Sequence, residues 1–356
     1  MNESIRMLYN RIYKKMDIVH FESLWEGFYP FPFALYDDEM VYFADREIPW
    51  DERFLANTSI SFEGEPLAIW NIQMDDPEDD DILLSNLIHE MFHCFQTEKG
   101  EMRFANDLAM LNYPLSLENF QLKHQENQSF VQIFRKNDQA EKEKYFANYV
   151  AIRSVRKKLI GEHFLHELKL ETIEGAAEFV GLSALKLLDE KKFQKKIKNY
   201  WELLEKESPL LFDIRRICYY TGSLFYFALQ ELGYEWNQNL SEESPIYEQI
   251  EFQLTFTNVE IEKNQKISHL LESEKNLKSE TLQSFLAVPH EEVPFGAVIS
   301  GYDPMNMFRK DDLLYCSHFV YLKNKETSEK LFLAGPILLK MVPGSLDQVE
   351  SYFIQK

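Results

Sequence analysis

The chain's most chemically loaded segment is LSNLIHEMFHCFQ (84–96), which contains His89-Glu90-Met91-Phe92-His93, an H-E-x-x-H run in an apolar helical pattern. Positions four apart share one helix face a turn from each other, so both imidazoles can reach one Zn²⁺ at roughly 2.0–2.1 Å. Glu90 is next to His89, close enough to polarise a water on that metal and take its proton. The competing reading is two satisfied histidines on a half-buried helix with a solvated glutamate. A third ligand decides between them, because catalytic zinc takes three protein ligands and keeps a position open.

Candidates for it lie in LETIEGAAEFVGLSALKLL (170–188), an apolar helical run interrupted by Glu171, Glu174 and Glu178. Gly175, Ala176 and Ala177 allow a neighbouring helix close. Carboxylates in such a strip are costly to bury unless they bind a metal or a partner. Glu174 can then be the third ligand, and Glu178, four residues on, can accept the free ring N–H of a ligating histidine. His163 and His166, three apart, read as packing or surface residues, and Cys94 as a core thiol.

The H-E-x-x-H helix followed by Glu174-Gly175-Ala176-Ala177-Glu178-Phe179 resembles the gluzincin metallopeptidases, where the glutamate ligand often sits in E-G-x-A before an aromatic. The resemblance selects Glu174 as metal ligand and Glu178 as the carboxylate that orients a histidine, leaving Glu171 as an exposed helix charge. CYYTGSLFYFALQELG (218–233) looks like the group's Y-x-x-G segment. By that likeness Tyr219, with Tyr220 as fallback, faces the substrate carbonyl. The likeness covers roughly 60–235, and a helical insertion fills 98–160. It further implies that the strand EPLAIWNI (65–72) is a free sheet edge, able to pair with an extended peptide at Ile69 or Asn71.

The elements that must position these residues are mostly helical. Apolar spacing predicts helices over 3–16, 82–97, 117–134, 139–159, 162–188, 190–205, 211–232 and 264–288. FALYDDEMVYFADR (33–46) and TSISFEGEPLAIWNI (58–72) read as two hairpins, hence a small antiparallel sheet. The acidic run DDPEDDD (75–81) suits a helix start. GYEWNQNLSEESP (233–245) marks a boundary between a zincin-like unit, 1–240, and a smaller α+β unit, 246–356. In that tail, 246–261 alternates like a strand, and FGAVISGY, YCSHFVYLK and KLFLAGPILLKM read as strands. The fold class is α+β.

Of 356 residues 45% are hydrophobic, which a folded globule needs, and the formal net charge is −21. Such a surface repels phosphate backbones and anionic membranes. Neither nucleic acid nor membrane is an expected partner. Three scattered cysteines make no disulfide framework, residues 1–21 do not read as a signal peptide, and the expected compartment is the cytoplasm. The expectation is a zinc-dependent hydrolase acting on a peptide or protein substrate. Its rivals are a binding or regulatory protein with an inactive zincin-like site, and an acidic helical scaffold with a coincidental motif.

Overall fold

The computed structural model describes residues 2–73, 79–250 and 259–355. Helix α1 (Asn2–Met16) buries Ile5, Leu8 and Ile12, and a helical turn α2 (Phe21–Leu24) follows. Strands β1 (Phe33–Tyr36), β2 (Met40–Tyr42), β3 (Glu47–Pro49), β4 (Thr58–Phe62) and β5 (Glu65–Asn71) form one sheet in the order β3-β2-β1-β5-β4. Glu63 and Gly64, at φ 55° and 90°, make the two-residue turn between β4 and β5 that a right-twisted hairpin favours.

The sheet is mixed, a correction to the antiparallel expectation. Both hairpins form as read, but they dock through β1 and β5, which run parallel, Phe33 opposite Ala68 and Tyr36 opposite Asn71. Local alternation specifies a hairpin and says nothing about how two of them join. The same docking overturns the edge-strand expectation: β5 is paired on both sides, and β4 is the strand at the edge. The Asn71 N–H donates to Asn57 Oδ1 at 2.7 Å.

Helix α3 (Asp80–Glu98) carries the H-E-x-x-H run and lies between this sheet and α7. Asp79 caps it, its carboxylate accepting from the N–H groups of Asp81 and Ile82. The turn α4 (Asp107–Met110) leads to α5 (Leu117–Arg135), α6 (Gln139–Ile160), α7 (Glu162–Leu188), α8 (Glu190–Glu205) and α9 (Ile214–Leu232). The 211–232 helix is interrupted: a 3₁₀ turn occupies Pro209–Phe212, and Asp213 then caps α9 by accepting from Arg216 N. A long central helix, α7 packs on both α3 and α9 and is buried nearly all round between Glu167 and Leu185.

Two glycines set the α7–α9 distance. A Cβ on Gly175 would lie 2.5 Å from the Gly222 Cα, and one on Gly222 would lie 2.5 Å from the Glu171 carbonyl oxygen. The backbones therefore touch, which brings the α9 side chains near Tyr219 up to the carboxylates of α7.

Residues Ile246–Gln249 form a helical turn, α10, rather than the start of a strand, and 251–258 of that expected strand lie outside the described residues, as do 75–78 of the acidic run. Helix α11 (Gln265–Ala287) contributes Ile267 and Leu271 to the main core, and Leu282 and Phe285 to a cluster with Leu338 of the C-terminal sheet. That sheet is antiparallel, ordered β10-β9-β6-β12-β11-β8-β7, from β6 (His290–Tyr302), β7 (Met307–Lys310), β8 (Leu313–Cys316), β9 (Phe319–Asn324), β10 (Lys330–Ala334), β11 (Ile337–Met341) and β12 (Gln348–Gln355). No described helix is long and apolar enough to cross a membrane.

Candidate metal centre

Helix α3 presents His89 and His93 on the face turned to α7, and α7 presents Glu174 and Glu178 back to them. His93 Nε2 lies 3.1 Å from His89 Nε2 and 3.2 Å from Glu174 Oε2, and the His89 Nε2 to Glu174 Oε2 distance is 3.8 Å. Ligands about 2.0–2.1 Å from one tetrahedral ion stand roughly 3.3–3.4 Å apart, so these three atoms have the spacing of one coordination sphere. Among the described residues this is the one group of three or more His, Cys, Asp or Glu ligand atoms so gathered.

The hydrogen bonds around the imidazoles settle where their protons are. His89 Nδ1 faces Glu178 Oε2 at 3.0 Å, and an ionised carboxylate only accepts, so Nδ1 carries the hydrogen. His93 Nδ1 faces Gln96 Oε1 at 2.7 Å, while Gln96 Nε2 donates to the Ile173 carbonyl at 3.1 Å. That second bond fixes which way the amide points and makes His93 Nδ1 a donor too. In the neutral rings both Nε2 atoms thus turn bare lone pairs toward each other. Glu174 Oε2 is buried and receives no hydrogen bond. With both rings neutral, three acceptors converge without a donor, a set that could hold a metal cation.

The electrostatics agree. Burial works against charge on His89, but Glu174 and Glu178 outweigh it and push its pKa up to about 10, so the pocket's field calls for a positive charge at this point. Glu174 is held well below the usual carboxylate range: burial opposes its ionisation, and His93 and Arg215 prevail. Burial likewise opposes ionisation of Glu178, and Lys196 with His89 and Tyr200 brings it to about 2. Lys196 Nζ is 3.2 Å from Glu178 Oε1, which also accepts from the Tyr200 hydroxyl.

Glu90 is buried, with its carboxyl pushed up by burial and by Glu174 and Glu178 against the pull of His89 and His93. Among the described residues no side chain hydrogen bonds to it, which leaves both oxygens unspent. The Tyr219 ring stacks flat on His89, centroids 5.7 Å apart at 3°, whereas Tyr220 packs on Tyr200 at 4.4 Å and faces away. The Tyr219 hydroxyl is raised well above its ordinary pKa, by burial first and then by Glu174.

Glu171 is not the exposed charge the resemblance left it as. It is buried, bound by Arg153 at 2.6 and 3.1 Å and by the Thr221 hydroxyl at 2.7 Å. It belongs to a network with Lys123, Glu126, Arg156 and Glu167 that joins α5, α6 and α7 one turn before Glu174. His163 and His166 lie outside the cluster. Cys94 is buried, and burial pushes its thiol up to about 12.

Sequence reasoning missed Gln96, Arg215 and Asp107. Arg215 Nη2 donates to Glu174 Oε1 at 2.8 Å, and its Nη1 pairs with Asp107. This ties down one oxygen of Glu174 and leaves the other for a metal. Gln96, three residues after His93 on the same helix, was legible from spacing; Arg215, 41 residues beyond its partner, was not. Comparison with protein-family models, with curated proteins and with solved structures finds no match.

Proposed function

We propose that this protein is a zinc-dependent hydrolase, specifically a peptidase of the gluzincin type, with His89, His93 and Glu174 holding the metal. The observation that carries the reading is the convergence, in one buried site, of the His89 and His93 Nε2 atoms, whose rings engage partners through Nδ1, with the Glu174 Oε2. Zinc held there supplies Lewis acidity, polarising a carbonyl and making water acidic enough to react near neutral pH. Glu90 accepts a proton from the attacking water at a carboxylate oxygen and delivers it to the leaving amine. Tyr219, neutral because its hydroxyl is so strongly raised, donates a hydrogen bond to the oxygen of the carbonyl under attack. Glu178 and Gln96 hold the two imidazoles in the ligating tautomer.

The test measures metal content and hydrolysis of a mixed fluorogenic peptide library together. One zinc per chain is expected, lost in His89→Ala and in Glu174→Ala. Glu90→Gln keeps the metal and loses nearly all hydrolysis, since an amide accepts no proton from water. Zinc bound with no hydrolysis by the wild-type protein would replace the peptidase by a metal-binding regulator, and full metal retention in both ligand variants would end the metal reading altogether.

A further inference from the structure

The turn α4 is four residues long, yet it ties two parts of the molecule together. Leu108 is 7% exposed and sits in the hydrophobic cluster of the C-terminal sheet with Leu314, Cys316, Leu339 and Met341. Among the described residues it is the one buried member of that cluster from outside β6–β12. Leu111, which ends the turn, packs half-buried against the same cluster. Consecutive helical residues stand about 100° apart around the axis, so the residue before Leu108 can turn to the helices instead. Asp107 does so: it pairs with Arg215 Nη1, and Arg215 Nη2 donates to Glu174 Oε1 at 2.8 Å. Tyr302 of β6 is close enough to feel this pair, its hydroxyl raised by burial and then by Asp107 against the pull of Arg215. The side chains of Asp107, Arg215 and Glu174 are 22%, 18% and 10% exposed, so salt and water screen the two ion pairs weakly. A guanidinium holds its donors in a rigid planar fork, so displacing Asp107 displaces Arg215 against Glu174. A metal site needs its ligand atoms held within about 0.5 Å, which makes a small displacement matter.

We propose that α4 couples the docking of the C-terminal sheet to the metal centre: Asp107 is a positioning residue that acts on Glu174 through Arg215, and Leu108, anchored in the sheet, sets where Asp107 stands. The proposal rests on the metal-binding part of the reading above and is independent of which bond is cleaved. Coupling between two equilibria is reciprocal. The docked sheet tightens zinc binding, and zinc tightens the docking of the sheet by the same factor. The C-terminal unit is on this account a support for the third ligand.

The experiment measures zinc affinity of the full chain by competition with a chelator. Leu108→Ala removes packing and no charge, and it weakens zinc by about 10-fold, inside the roughly 5- to 150-fold that coupled sites show. Asp107→Asn keeps the shape, gives up the ionic grip on Arg215 and loses a similar factor. The double variant is no weaker than the weaker single, because both break one path. Leu282→Ala, an equal truncation where α11 meets Leu338 of the same sheet, keeps wild-type affinity. Hydrogen exchange reads the reciprocal effect: zinc slows the β8 and β11 amides by about 10-fold in the wild type and leaves them unchanged in Asp107→Asn. Leu111→Ala stands in where Leu108→Ala does not fold. Wild-type affinity in the α4 variants, additive losses in the double, an equal loss in Leu282→Ala or a sheet whose exchange ignores zinc each overturns the coupling while leaving the metal site intact. Wild-type protein that binds no zinc removes the parent reading instead.

Discussion

His93 shows how much one hydrogen bond decides at the residue scale. Gln96 could present its oxygen or its nitrogen to the ring, and the Ile173 carbonyl chooses by engaging the nitrogen. The consequence is a bare Nε2 aimed at Glu174. Gln96→Leu should therefore weaken zinc affinity by about 10–100-fold without removing the ligand, as losses behind a ligating histidine do. Glu178→Ala should do the same through His89. Competition with a chromophoric chelator measures both, and wild-type affinity in either variant would show that the tautomers are not held this way.

At the scale of elements, α7 spends four glutamates on three tasks. Glu167 and Glu171 bind the buried cations of α5 and α6, Glu174 faces the histidines, and Glu178 orients His89. Removing Glu171 leaves the wholly buried Arg153 with Glu126 as its one carboxylate partner among the described residues, so Glu171→Ala should cost about 3–5 kcal/mol, the penalty of breaking a buried pair. Denaturant unfolding checks it, and a change under 1 kcal/mol, small beside about 3–5 for such pairs, would place the residue in solvent after all. The first sheet allows an equally sharp contrast. Phe62 and Glu65 flank the two-residue turn and so form a hydrogen-bonded pair, which alternates outward to leave the Ser61 N–H pointing off the edge. Ser61→Pro should melt near the wild-type temperature. Ile69→Pro, in the doubly paired β5, should lose a ladder bond worth about 1–3 kcal/mol when left unmade and melt clearly lower. Equal melting of the two would contradict the strand order.

For the molecule as a whole, the buried network sets the response to acid. Burial opposes ionisation of Glu126 and Glu167, but Arg156 and Lys123 hold both below the ordinary glutamate value of 4.5, while in the unfolded chain they titrate near it. A depressed folded pKa means that the unfolded state binds more protons as pH falls through the gap. The stability these carboxylates contribute is present above about pH 4.5 and lost below it, as pH drops toward the folded values. Unfolding free energy measured by denaturant from pH 7 down to pH 3 should be level at first and then fall steeply below about 4.5, less so in Glu126→Gln. The series belongs at constant high salt, since protonation also relieves the repulsion of a chain carrying −21 at neutral pH. A level profile down to pH 3 would mean the network does not carry the acid response.

Every long helix and both hairpins were legible along the chain, because periodic apolar residues and turn chemistry act between near neighbours. His89, His93 and Glu174 were legible for the same reason, each pair or motif lying on one helix face. The amphipathic α1 came out of the same rule. Only the tertiary structure decided that the hairpins dock in parallel through β1 and β5, that β4 rather than β5 is the edge, and that Glu171 points at Arg153. It also decided that Arg215, itself paired with Asp107, reaches Glu174, and that the C-terminal sheet meets the segment after β3. These join residues far apart in sequence, such as Tyr321 and Glu52, through pairings whose energy depends on burial and approach. Periodicity reports which face of an element is apolar, and it carries no information about which other element will cover that face.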